Sequence, residues 1–195
     1  ANIQASGLYD EILATYLGEA ATEESEDVSE ESAAVVNEEA ELTHDQKYVI
    51  ATDTTFAPFE FVNEAGEMVG IDMDILAAIA ADQGFDYEVR ALGFNAAVQA
   101  LESKQVDGVI AGMSITPERE KAFTFSDPYY HSSLSFAVKA DSDIQTLDDL
   151  AGKRVAVKTG TQGAELAESL KAEYDFEIVT FEDSVNMYQE VMVGN

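Results

Sequence analysis

Cysteine and tryptophan are absent from these 195 residues, proline occurs three times and histidine twice. Without cysteine there is no disulfide, no thiol nucleophile and no thiolate metal site. Basic side chains are scarce: 10 Lys and Arg stand against 39 Asp and Glu, a formal charge of −29. Phosphate is repelled by such a surface, so nucleic acid and anionic membrane are excluded as main partners. No apolar run approaches the ~18 residues of a spanning helix. What is present is 46% hydrophobic residues, enough for a packed core. The length suits one domain or two small ones.

The charge is unevenly spread. Residues 1–46 hold 13 acids and no Lys or Arg, while residues 47–195 hold 26 acids and all 10 basic residues. Residues 19–46 form an acidic stretch, without an aromatic from Glu19 to Glu41. Nothing there repays the entropy of folding, so it reads as a self-repelling, disordered linker. Before it, Leu8, Ile12, Leu13, Tyr16 and Leu17 fall on one helical face, between Gly7 and Gly18. A helix of about three turns is marginal alone in water and needs a surface for its stripe.

From Lys47 onward strand and helix patterns alternate. Strands are expected at 48–51, 87–92, 106–110, 134–139, 154–158 and 176–180. A hairpin-like excursion covers 59–69. Helices are expected over 73–82 with Asp72 as cap, from Asn95 as cap to about Ser103, over 118–122 behind Pro117, and over 147–150, 161–172 and 184–193. Such alternation means an open, mostly parallel α/β sheet, which binds ligands beyond the carboxyl ends of its strands. The last helix pattern runs into Asn195 and residue 1 is not Met, so the expectation is a piece of a longer chain.

Three loops at strand ends have unusual content. Asp53 to Phe61 places a carboxylate and aromatics after the first strand, either as a ligand loop or as an ordinary core entry with a turn at Pro58. Gly112 to Arg119 offers close backbone approach, the Ser114 hydroxyl and the Arg119 fork of donors. Those parts suit a bidentate carboxylate, unless Arg119 pairs with Glu118 or Glu120. Lys158 to Gly163 opens a helix whose free N–H groups favour an anion, but it lacks the Gly-x-x-x-x-Gly-Lys-Ser/Thr of a P-loop. His44 falls in the linker, and His131, beside Tyr129 and Tyr130, reads as structural, so no histidine cluster exists for a metal. Ser114 is not in a Gly-x-Ser-x-Gly elbow. Asp72 and Asp74 lack the rest of a calcium loop.

Taken in order, the blocks at 51–61, 69–74, 110–119, 125–130 and 149–161 resemble the polar-amino-acid solute-binding proteins of ABC transporters, most of all the glutamine-binding members. The resemblance covers 47–195. Residues 5–18 resemble the other end of this family, its C-terminal helix. It implies an α/β fold of the periplasmic binding protein-like type II, two-lobed, with open, mostly parallel sheets, flanking helices and an incomplete second lobe. The implied organisation is the C-terminal helix of a preceding binding domain (1–18), the linker (19–46), lobe 1 (47–135, with a crossover near 133–140) and part of lobe 2 (136–195). The return crossover and the family's aspartate for the ligand's amino group would lie beyond Asn195.

The resemblance also implies roles. Arg119 would fork the α-carboxylate with Ser114 and the Thr161 N–H, and the Gly112 carbonyl would take the amino group. Phe56 and Phe94 would flank the stem, and Asp53 and Lys158 would hold the side-chain end. A carboxylate plus an ammonium suits a neutral amide, so glutamine is expected first, then asparagine or another polar amino acid. Gln162 stands where a glutamine binder has a small residue. No cofactor, metal or catalysis is expected. The expected partners are an amino acid and a membrane permease, fused or separate, outside the cytoplasm. The rivals are a ligand-sensing domain of a membrane receptor and a dehydratase on the same fold, for which Asp53 or Glu60 would be the general acid. The linker could span roughly 30 Å, so the helix at 8–17 is expected to dock on lobe 1 of its own chain.

Overall fold

The computed structural model describes residues 3–18 and 47–195. The linker expected at 19–46 lies outside the described residues.

The first lobe is built on a parallel sheet. Strand β1 (Lys47–Thr52) lies at its centre, between β5 (Asp86–Ala91) and β6 (Gly108–Val109). In β1, Ala51 and Thr52 are fully buried where the strand runs into the core. A small antiparallel sheet of β2 (Thr55–Phe56), β3 (Glu60–Val62) and β4 (Met68–Val69) forms the excursion after β1. Helices α2 (Ile71–Gln83) and α3 (Phe94–Glu102) follow. Gly84 ends α2 in the left-handed conformation, as its position predicts. Gly70 starts α2 at φ 131°, where a Cβ would stand 2.2 Å from the Phe59 carbonyl oxygen, so only glycine fits.

Helix α1 (Leu8–Leu17) lies on this lobe, as its unpaired apolar stripe requires. Tyr9, Ile12 and Leu13 pack with Ile3 against Ile71 and Ile75 of α2. Two hydroxyls lock it: Tyr9 donates to the Tyr129 carbonyl, and Tyr16 donates to Asp74 at 3.0 Å. The stripe is rotated from the expected one, with Tyr9 inside and Leu8 39% exposed.

The second lobe holds the parallel pair β7 (Arg154–Lys158) and β8 (Glu177–Phe181), with α4 (Gln162–Tyr174) and α5 (Ser184–Val193). It has its own core of Leu150, Val157, Ala167 and Phe176. Thr161 caps α4 by accepting from the Ala164 N–H, and Asp183 caps α5 from Asn186.

Several expectations are corrected. Residues 134–139 form no strand; Leu134 and Val138 are exposed, and no described strand pairs with them. Residues 118–122 tighten to a 3-10 turn at Arg119–Lys121, and 147–150 is likewise 3-10. Asp72 and Asn95 do not cap their helices: each sits one residue inside, behind Gly70–Ile71 and Gly93–Phe94. No described helix is long and apolar enough to cross a membrane.

Candidate functional site

The chain turns at the carboxyl end of β1, the middle strand, and this edge faces the second lobe. Asp53 leaves β1 there, 1% exposed. The Thr52 hydroxyl donates to the Ile110 carbonyl at 2.7 Å, tying the end of β1 to the loop after β6. That loop carries Gly112, Ser114 and Arg119. Phe94 begins α3, Lys158 ends β7 and Thr161 caps α4. All eight residues expected from the sequence, Asp53, Phe56, Phe94, Gly112, Ser114, Arg119, Lys158 and Thr161, line one cavity of about 670 Å³.

Charge in the cavity is paired across the lobes. The Lys158 ammonium, on the second lobe, forms a buried ion pair with Asp53 on the first. Lys158 also donates to the Ser184 hydroxyl at 3.2 Å and the Thr55 hydroxyl at 3.4 Å. Asp53 keeps its other oxygen, Oδ1, buried and without a partner among the described residues. A buried acceptor left unpaired costs roughly 1–3 kcal/mol.

At the opposite wall, Arg119 donates to the Ser114 carbonyl and, across the lobes, to the Gly160 carbonyl, both at 3.0 Å. Its guanidinium lies 5.7 Å from the centre of the Phe94 ring. The surface pairings weighed from sequence do not form: Glu118 takes Lys121, and the carboxylate beside Arg119 is Glu165 at 3.8 Å. Between the two ends, Phe56 stacks on Phe59 at 5.3 Å, giving an apolar wall. Gly112 is left-handed at φ 52°, and a Cβ there would stand 2.6 Å from the Phe56 ring.

Behind Gly112 lies a polar knot that sequence reasoning missed. Asp72, fully buried, accepts from the Gly112 N–H at 2.6 Å and from the Tyr129 hydroxyl at 2.7 Å. Glu60, also fully buried, lies beside it. Burial, then the neighbouring Asp72 charge, pushes the Glu60 carboxyl up to about 11. Burial also raises Asp72, and the donors on it pull the other way. Burial and the Asp72 charge raise the Tyr129 phenol. Glu60 does not line the cavity, which leaves it out of reach as a general acid for a ligand there. Thr55 and Ser184 were missed as well. Ser184, first in α5 directly after β8, held the only signal, because helix N-termini behind strands point at such clefts. Among the described residues no group of His, Asp and Glu is placed to hold a metal ion.

The family model for bacterial extracellular solute-binding proteins, family 3, matches residues 48–172. The arginine-binding extracellular protein ArtP of Bacillus subtilis is 38% identical over 146 residues, covering 75% of this chain and 57% of ArtP. The histidine-binding periplasmic protein of Salmonella typhimurium is 33% identical over 150 residues, covering 76% and 58%. The solved structure of an ancestral arginine-binding protein bound to glutamine is 34% identical with a TM-score of 0.66, covering 76% of this chain and 65% of that one. The chain thus spans somewhat over half the length of the curated relatives it matches. With the family model covering most of the chain and two parallel α/β lobes facing one cleft, the chain belongs to the bacterial extracellular solute-binding proteins of family 3.

Proposed function

We propose that the chain is part of the solute-binding component of an ABC transporter, acting outside the cytoplasm, that captures a polar amino acid and hands it to a membrane permease. Glutamine is the ligand the cavity suits best. The observation that carries this reading is the Asp53–Lys158 pair at the cavity, with Asp53 Oδ1 buried and without a partner among the described residues.

An amide has a donor end and an acceptor end. Asp53 would answer the first through Oδ1, and Lys158 the second by turning one N–H from its long contact with Thr55 to the ligand. A guanidinium would meet the Lys158 ammonium, and a γ-carboxylate would meet Asp53. Like charges in a desolvated site cost several kcal/mol. The relatives named for arginine and histidine belong to the same family, so the ligand is decided by residues such as Lys158 rather than by the fold. Arg119, with the Ser114 hydroxyl, would hold the α-carboxylate, the Thr161 N–H would add a donor, and the Gly112 carbonyl would take the amino group. Phe56 and Phe94 would sandwich the stem. Binding makes and breaks no covalent bond. Residues 1–18, 19–46, 47–135 and 136–195 are assigned as the end helix of a preceding binding domain, a linker, lobe 1 and part of lobe 2.

Calorimetric titration of the full-length protein with glutamine, glutamate, asparagine, arginine and histidine tests this. Glutamine should give the tightest saturable binding. Arg119→Ala should weaken it by about a hundredfold or more, the cost of stripping a buried charge pair. Lys158→Ala should weaken glutamine and strengthen arginine, because Asp53 then faces the guanidinium alone. Arginine binding more tightly than glutamine to the unaltered protein would sink the amide assignment. No heat with any of the five would sink the receptor reading.

A further inference from the structure

Two buried carboxyls stand side by side behind the cavity, Glu60 on β3 and Asp72 on α2, both at 0% exposure. Their surroundings differ. Asp72 has a donor on each oxygen: the Gly112 N–H donates to one and the Tyr129 hydroxyl to the other. Both oxygens of Glu60 are buried and meet no donor among the described residues. What faces them is the Asp72 carboxylate, itself an acceptor. Two acceptors meet favourably only when one carries a proton, and adjacent buried carboxylates do not both ionise. A proton on Asp72 would weaken an oxygen that already accepts from a donor. A proton on Glu60 displaces nothing and supplies Asp72 with a third donor.

We propose that Glu60 is the neutral partner of this pair and Asp72 the charged one, and that Asp72 is a positioning residue whose carboxylate holds the Gly112 amide and thereby sets the loop that presents Ser114 and Arg119 to the cavity. The link to ligand binding rests on the function proposed above; the location of the proton does not. The other ionisable groups facing Glu60 are Asp53, Lys158 and Tyr129. Asp53 favours the neutral form and Lys158 opposes it, but Lys158 is already paired with Asp53. The chemistry also makes Gly112 more than a steric glycine. Its N–H, 2.6 Å from a charge, is a fixed point between the α2 start and the cavity wall.

The pair predicts unequal variants. Glu60→Gln replaces the neutral acid with a neutral amide that can still donate to Asp72. Asp72→Asn keeps one acceptor oxygen where two donors need two, so either Gly112 or Tyr129 loses its partner. The experiment uses the full-length protein at pH 8. Infrared difference spectra, unaltered minus Glu60→Gln, should show a neutral-carboxyl C=O band, and selective 15N-glycine labelling should show a strongly downfield Gly112 amide proton. Glu60→Gln should leave that resonance in place and keep glutamine affinity within about threefold. Asp72→Asn should move it upfield and weaken glutamine by about tenfold or more.

A spectrum without the neutral band would overturn the proton assignment. A Gly112 resonance displaced in Glu60→Gln, or unmoved in Asp72→Asn, would overturn the positioning role. Should Asp72→Asn not fold, the infrared band still decides the proton, and a Gly112 amide proton that is not downfield in the unaltered protein still overturns the positioning role. A band and an amide shift as expected, with no glutamine binding, would remove the receptor reading and leave the carboxyl pair standing.

Discussion

A neutral glutamic acid has a thermodynamic signature at the residue scale. Glu60 is pushed from 4.5 to about 11 by burial and by Asp72. In the unfolded chain it ionises near its ordinary value. The folded state therefore holds a proton that the unfolded state has released throughout that window. Stability from this group is full below pH ~4.5, falls as pH rises, and is lost as pH passes the folded value. The slope is at most about 1.4 kcal/mol per pH unit. Glutamine at position 60 has no proton to lose. Urea unfolding at pH 6, 7 and 8 should thus show Glu60→Gln gaining on the unaltered protein as pH rises. A constant difference between the two across that range would mean Glu60 is ionised in the fold. Gly112 shows the same dependence of one residue on its neighbours. It needs a left-handed backbone, has no room for a Cβ against Phe56, and gives its N–H to Asp72.

At the scale of elements, α1 makes no lasting structure alone, and its stability must come from the lobe beneath it. Leu13 is 1% exposed against α2, while Leu8 is 39% exposed. Leu13→Ala should cost about 2–4 kcal/mol by lost burial and the cavity left behind. Leu8→Ala should stay within about 0.5 kcal/mol. Equal, small losses in denaturant titrations would mean that α1 leaves the lobe in solution. The period of apolar residues made this helix legible in the sequence; it could not say whether Leu8 or Tyr9 faced inward, because Tyr9 is drawn in by the distant Tyr129 carbonyl. Asp72 shows the same limit. An acid ahead of an apolar run reads as a cap, yet its carboxylate is claimed by Gly112 and Tyr129, 40 and 57 residues away. Residues 134–139 have the composition of a strand, but a strand is a property of two segments, and no described strand pairs with them. Seven of the eight cavity residues were legible because they lie in loops at strand ends, whereas Phe94 came only from the resemblance to the family. Glu60 and Tyr129 were not, since their role arises only when β3, α2 and the loop at 129 pack.

On the scale of the whole molecule, the cleft is held by contacts that cross between lobes. Among the described residues they include the Asp53–Lys158 pair, Arg119 with the Gly160 carbonyl and Glu165, and the Thr55 hydroxyl. Thr55 accepts from the Ser184 N–H at 3.1 Å and lies 3.4 Å from the Lys158 ammonium. The first two contacts involve groups that a ligand would also engage, so ligand and closure are hard to separate there. Thr55 does not line the cavity. It joins β2 of one lobe to the start of α5 of the other, and its one contact with a ligand group is the long one to Lys158. Thr55→Val keeps the shape and removes the acceptor. A ligand that touches both lobes stabilises only the closed arrangement, and loss of a closing contact shifts the population toward open. The neutral bond from the Ser184 N–H is worth about 1 kcal/mol, or roughly fivefold, and the Lys158 contact, at 3.4 Å, adds little to it. The effect should fall on dissociation, because the ligand meets the open cleft first and escapes only after reopening. Stopped-flow measurements on the full-length protein should therefore show glutamine leaving Thr55→Val about fivefold faster, with association nearly unchanged. If dissociation is unchanged, the Thr55–Ser184 contact does not hold the lobes together. If association alone slows, Thr55 acts on the entry of ligand rather than on closure.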